Sequence, residues 1–302
     1  MFKIKLFSLL FFTFSATLFA QKKTNQEEWQ SLFNGKDLTG WDIKIAGQEV
    51  NDNYKNTFRV ENGMLRIVYD EYTDFDGKYG HLYYKKPFSH YILRFEYRFT
   101  GNQTKGGATW NVRNSGVMIH SQSAQSLSKN QSFPVSLEVQ LLGGLGNGTR
   151  HTGNLCTPGT QVYMNGKLKT DHCIDSDSKT YDGDQWVRGE AIVYGDSVIH
   201  HLIEGDTVLT YEKPIIGGNF VGGSLEWKAG GFDDAAAEAW TKKDNTPLKE
   251  GYISLQAESH PIDFRNIQIL NLCGCTDKKA LNYKSYFVKS DNTKCRYAKR
   301  KK

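Results

Sequence analysis

The hexapeptide Leu137-Glu138-Val139-Gln140-Leu141-Leu142 sets a carboxylate and an amide two residues apart. Side chains of an extended strand alternate between its faces. Leu137, Val139 and Leu141 then point to a core, and Glu138 and Gln140 share the opposite face. This arrangement suits proton transfer by Glu138 beside hydrogen bonding by Gln140. A second segment, SGVMIHS at 115–121, puts Gly116, Met118 and His120 on one face. A strand glycine leaves room for a ligand or a crossing backbone. His120 is a candidate acid, base or metal ligand near neutral pH. Just before it, Arg113 and Asn114 are candidate hydrogen-bond donors. Toward the end of the chain, GYISLQAESHPIDFRN contributes Gln256, His260 and Arg265, and His260 beside Arg265 is suited to polarising a carbonyl oxygen. Glu96 shares a strand face with Arg98, either as a ligand contact or as a surface ion pair of small worth. The other six histidines, His81, His90, His151, His172, His200 and His201, read as structural or solvated.

The elements that must hold these residues are strands. TFRVENGMLRIVY reads as a hairpin turning at Asn62-Gly63. YILRFEYRF alternates Leu93, Phe95, Tyr97 and Phe99 with charged residues. Residues 186–214 break at Gly195-Asp196 and Gly205-Asp206, which predicts a three-strand meander. YISLQAE and IDFRNIQIL complete the set, and one short helix is expected near DDAAAEAW. Many short strands without βαβ alternation predict an all-β antiparallel sandwich or jelly roll. The Gly-, Asn-, Ser- and Thr-rich stretches 101–132, 143–182 and 217–250 read as long loops, where a β scaffold commonly carries function.

The 302 residues are enough for a sizeable core, and 16 Tyr, 17 Phe and 6 Trp are too many for a disordered chain. The net charge of +5 is unevenly placed. Lys3 and Lys5 are unopposed in residues 1–20, and residues 273–302 carry ten Lys/Arg against Asp277 and Asp291. The body between them is therefore net −5, which argues against a nucleic-acid groove. Residues 1–20 read as a secretory signal peptide, so the mature protein is expected to be exported, to the periplasm or beyond. No other segment is long and apolar enough to span a membrane. Export permits disulfides among Cys156, Cys173, Cys273, Cys275 and Cys295. The expected pairs are Cys156–Cys173 and Cys275–Cys295, with Cys273–Cys295 left open. A composition shift after Leu272 divides a 21–272 domain from a basic Cys-stapled segment at 273–302.

Five pieces occur in order: EEWQSLFNGKDLTGW, YGHLYYKKPFSHYILRFEYRF, NSGVMIH, LEVQLL and GYISLQAESHPIDFRNIQI. Together they resemble the 3-keto-disaccharide hydrolase family over residues 28–271. The tail resembles a small GCTD-type segment found at the ends of some secreted proteins. The family resemblance implies a concanavalin-like jelly roll of two curved sheets and action on sugars oxidised at C3. A conventional retaining glycosidase needs two close carboxylates. The jelly-roll signature Glu-x-Asp-x-x-Glu has only Glu138 here, followed by Gln140 and Gly143. This argues for a different route, in which a base removes the C2 proton of a 3-keto-glycoside and the C1 substituent is eliminated. Glu138 or His120 is the expected base. His260, Arg265 or a divalent metal is the expected electrophile. Arg113, Gln140, Gln256, Arg265 and Glu96 are expected substrate contacts. No cofactor is certain from the motifs, and oligomeric state is unknown. The other functional class is a carbohydrate-binding module, with Trp110 or Trp186 stacking on sugar rings.

Overall fold

A computed structural model of the chain describes residues 26–217 and 227–298. Residues 1–20, read above as a signal peptide, and the Gly222-Gly223 pair lie outside the described residues. The chain divides into two compact units, a large one over Glu28–Cys273 and a small one that includes the residues from Gly274 onward.

The strands of the large unit are β1 (Gln30–Ser31), β2 (Trp41–Ile45), β3 (Phe58–Glu61), β4 (Met64–Ile67), β5 (Gly80–Tyr84) and β6 (His90–Phe99). There follow β7 (Asn114–Ser121), β8 (Leu137–Leu142), β9 (Asn154–Cys156), β10 (Thr160–Met164), β11 (Lys167–Lys169) and β12 (Cys173–Ile174). The meander is β13 (Val187–Tyr194), β14 (Val198–Ile203) and β15 (Asp206–Ile216), and β16 (Tyr252–Ala257) and β17 (Ile262–Asn271) close the set. The helix α1 spans Asp234–Thr241, with the Asp233 side chain capping its first turn through Ala236 N–H. The expected 143–182 loop in fact carries four short strands, β9 to β12, because their backbones find partners at sheet edges.

The pairings among β1 to β17 are antiparallel and form two large sheets, as a jelly roll requires. One runs β11-β10-β15-β14-β13-β6-β17-β4-β3, with β1 beside β17; the other runs β12-β9-β8-β7-β16-β5-β2. The apolar side chains of each pack between them. On β6, Tyr91, Leu93, Phe95, Tyr97 and Phe99 are all buried. On the seven-stranded sheet the inward row runs Val139, Val117, Leu255, Leu82 and Ile43 across neighbouring strands. Burying each such side chain contributes about 1.5–3 kcal/mol. The inward row fixes register, since a one-residue slip would turn every apolar side chain outward.

The small unit is stapled by Cys275–Cys295. Tyr297 OH donates to Asp277 at 2.7 Å, and Leu281 N–H donates to Arg296 O. Its few apolar side chains leave the disulfide as the main constraint.

Candidate active site

The face of the seven-stranded sheet turned away from the core carries the polar members of the same strands. Its rows follow from register. Glu138 lies opposite Met118, which lies opposite Ser254. Gln140 lies opposite Gly116, and Gln256 lies opposite His81. Gln256 stands one step beyond the paired Leu255 and Val117, so it flanks Gly116 from the other side. Two further residues along, Glu258 continues the face past the end of β16. A Cβ on Gly116 would overlap the Glu138 carboxylate. The glycine is what lets Glu138 lean across β7.

The 122–136 and 157–160 segments cross this face and bury it: Glu138 is 6% exposed and Glu258 3%. Between them remains a cavity of about 170 Å³. Glu138, Glu258, Gln140, Asn114 and His172 supply its polar lining; Trp110, Phe133, Pro158 and the Cys156–Cys173 pair supply the rest. Trp110 is half exposed at 49% and stacks on Tyr79 with the rings 9° from parallel.

Burial pushes the Glu138 carboxyl up to about 8. Burial, reinforced by the neighbouring Glu138, pushes Glu258 well above the usual carboxylate range. Two carboxyls in one dry space cannot both ionise cheaply. No ion pair involves either of them among the described residues. The pair therefore holds at least one proton at neutral pH.

Gln140 is oriented from behind. Ser176 N–H donates to Asn154 Oδ1 at 2.9 Å, and Asn154 Nδ2 donates to Gln140 Oε1 at 3.0 Å. With its carbonyl end engaged, Gln140 presents its NH₂ to the cavity. Three lining residues carry buried atoms without partners: Glu258 Oε2, Asn114 Oδ1 and His172 Nδ1. Such groups cost free energy unless something binds them. Among the described residues no group of three or more His, Cys, Asp or Glu could hold a metal ion.

The structure thus brings Glu138, Gln140 and Gln256 onto one face, and places the other expected residues elsewhere. His120 has a left-handed backbone (φ 49°), which breaks the alternation assumed for it. Its Nε2 bonds Gly195 O at 3.0 Å and its ring meets Tyr91, away from the cavity lining. Ser259 is also left-handed (φ 73°), so His260 turns aside and packs edge-on against Phe99 at 5.7 Å. Burial, helped by the neighbouring Arg113, holds its imidazole down at about 4. Arg113 (φ 46°) bonds Asp184 at 3.0 Å and Gly183 O. Glu96 and Arg265 pair at 2.6 Å on the outer face of the ten-stranded sheet, where Arg265 also covers Trp186. They are on the other sheet because β6 and β17 belong to it.

Sequence reasoning missed Glu258, and with it the second carboxylate. The search for a pair was confined to one strand, whereas the partner comes from the other side of β7. Continuing the alternation Ser254, Gln256, Glu258 was the available signal. His172, read as structural or solvated, also lines the cavity.

A family model described as the 3-keto-alpha-glucoside-1,2-lyase-like domain matches residues 28–270. The chain belongs to that family. It is a carbohydrate-active family, and the match covers nearly all of the large unit. Solved structures similar to this lyase-like chain include a Parabacteroides distasonis protein classed provisionally as a glycosyl hydrolase, at 18% identity and TM-score 0.45, covering 80% of this chain and 93% of that one. A Bacillus subtilis protein of unknown function with a galectin-like fold gives 11% identity and TM-score 0.45, covering 82% and 97%. The Bacillus licheniformis β-glucanase gives 10% and 0.39, covering 82% and 99%. No curated protein matches the chain.

Proposed function

We propose that this chain is an exported enzyme that cleaves 3-keto-glycosides by elimination at C1–C2. The observation that carries the reading is the roofed cavity lined by two buried carboxyls, Glu138 and Glu258, with no ion-pair partner among the described residues. The C3 ketone acidifies the C2 hydrogen. Ionised Glu138 takes that proton, and the C2–H electron pair moves into the C2–C3 bond as the C3 oxygen becomes an enolate. The enolate then expels the C1 substituent: a C1–C2 double bond forms, the C1–O bond breaks, and the leaving oxygen takes the proton held by Glu258. Glu138 ends protonated and Glu258 ionised, so a proton exchange within the pair resets the site. Water addition to the enone would complete a net hydrolysis. The Gln140 NH₂ is placed to donate to a sugar oxygen, and apolar Phe133 and Pro158 exclude bulk water, which strengthens each such bond.

Export is supported by the residue 1–20 pattern and by two disulfides, which need an oxidising compartment. No helix among the described residues is long and apolar enough to cross a membrane. The stapled segment after Leu272 takes no part in this chemistry. The test is turnover of a 3-keto-glucoside carrying deuterium at C2. The expected outcome is a primary isotope effect with loss of the label. Released sugar that keeps deuterium at C2 would overturn the elimination. Binding without any product would instead favour a carbohydrate-binding module, with Trp110 at the cavity mouth as its stacking platform.

A further inference from the structure

We infer that His172 is a third catalytic side chain of this cavity, donating a hydrogen bond to the C3 oxygen of the keto-sugar as the enolate forms. The inference rests on the elimination reading. His172 lines the same cavity as Glu138 and Glu258. Its Nδ1 is buried and meets no partner, as are Glu258 Oε2 and Asn114 Oδ1 of the same lining. Thr157 N–H and Oγ1 both donate to His172 O, at 2.9 and 3.1 Å. The next residue, Cys173, lies opposite Cys156 and is bonded to it. Cys156 in turn lies opposite Glu138 in β8. The backbone that carries the imidazole is therefore anchored two strands from that of the base, about 10 Å away.

A backbone fixed by two hydrogen bonds and a disulfide, carrying an imidazole with a dry unsatisfied nitrogen, is costly as architecture alone. Burial also lowers the basicity of this imidazole, so the ring is neutral near pH 7. A neutral ring can donate an N–H to a developing oxyanion without having to lose a charge. Glu138 and Glu258 are unsuited to that role, being occupied with the C2 proton and the leaving oxygen.

The test uses the full chain and 3-keto-1,5-anhydroglucitol, which can enolise but has no exocyclic C1 substituent to expel. Exchange of its C2 hydrogen in deuterated water is followed by NMR. His172→Ala is expected to slow exchange about 100-fold or more, with KM within about threefold. His172→Gln, which keeps a donor, is expected to recover about tenfold of that loss. Unchanged exchange in His172→Ala, or a Gln variant no better than Ala, would overturn the assignment. If circular dichroism shows that the Ala variant has lost its fold, the same comparison is made between His172→Gln and the space-filling His172→Met. Glu138→Gln separates the two claims. If it is inert while His172→Ala exchanges normally, only the His172 assignment fails. If it exchanges like the parent, the elimination reading fails and takes this inference with it.

Discussion

Asp263 on the ten-stranded sheet and Glu258 on the seven-stranded sheet are buried almost alike, at 0% and 3% exposure. Asp263 lies between Arg66 and Arg98, at 2.8 and 2.7 Å. Glu258 has no cation, only a second carboxylate. On the same outer face as Asp263, burial works to raise Glu96, but hydrogen bonds from Asn266 and Arg265 hold it below the ordinary range. Residue type and depth are thus similar on the two sheets, and pairing differs. The ten-stranded sheet spends its carboxylates on holding itself together. On the seven-stranded side Asp42 is paired with Lys85, but Glu138 and Glu258 stay unneutralised under a roof, an arrangement that lowers stability and suits proton transfer.

The sharpest way to break this contrast is Glu138→Gln, expected to cut kcat on a 3-keto-glucoside by about 10³-fold. Retained turnover would show that the unpaired face is not the chemical one. Gly116→Ala tests the same face sterically. The added methyl displaces the Glu138 carboxylate, and kcat/KM should fall by about 10–100-fold with the fold intact. Next comes pH. Glu138 must ionise to act, so kcat/KM should rise with pH through about 8, and fall again only where Glu258 loses its proton. A profile already flat at pH 5–6 would contradict the shared-proton site.

Stability should move the opposite way from activity. Folded Glu138 keeps its proton to about pH 8, whereas the unfolded carboxyl loses it near its ordinary value of 4.5. The unfolded state therefore binds fewer protons between those limits, and stability falls as pH rises through that window. Glu138→Gln should raise unfolding free energy by a few kcal/mol at pH 8, on the order of 1.4 kcal/mol per pH unit traversed, and change little near pH 4. Denaturant titration at the two pH values reads this directly. The smallest effect belongs to the other sheet: Glu96→Gln should cost under about 1 kcal/mol and leave turnover within about twofold.

Much of the scaffold could be read from alternation and turn residues. The Asn62-Gly63 hairpin, the meander at β13 to β15, the short helix and both disulfide pairs all lie where sequence placed them. Glu138, Gln140 and Gln256 were legible for the same reason, since period-two alternation fixes a face. What alternation cannot supply is sheet order. Nothing local says that β7 lies between β8 and β16, or that β6 and β17 occupy the opposite sheet. Glu258 and Arg265 were misjudged on that account. Arg113, His120 and Ser259 expose a second limit. Each has positive φ without being glycine, which reverses the side-chain sense that a strand pattern assumes and carries His120 and His260 away from the cavity.

The Ser176–Asn154–Gln140 relay has a consequence for substrate choice. Since one lone pair of the Gln140 amide oxygen is engaged by Asn154, the end left to a sugar is the NH₂, and an atom that meets it must offer lone pairs. A ketone, ether or hydroxyl oxygen satisfies that condition. An ammonium group meeting that NH₂ would confront N–H with N–H.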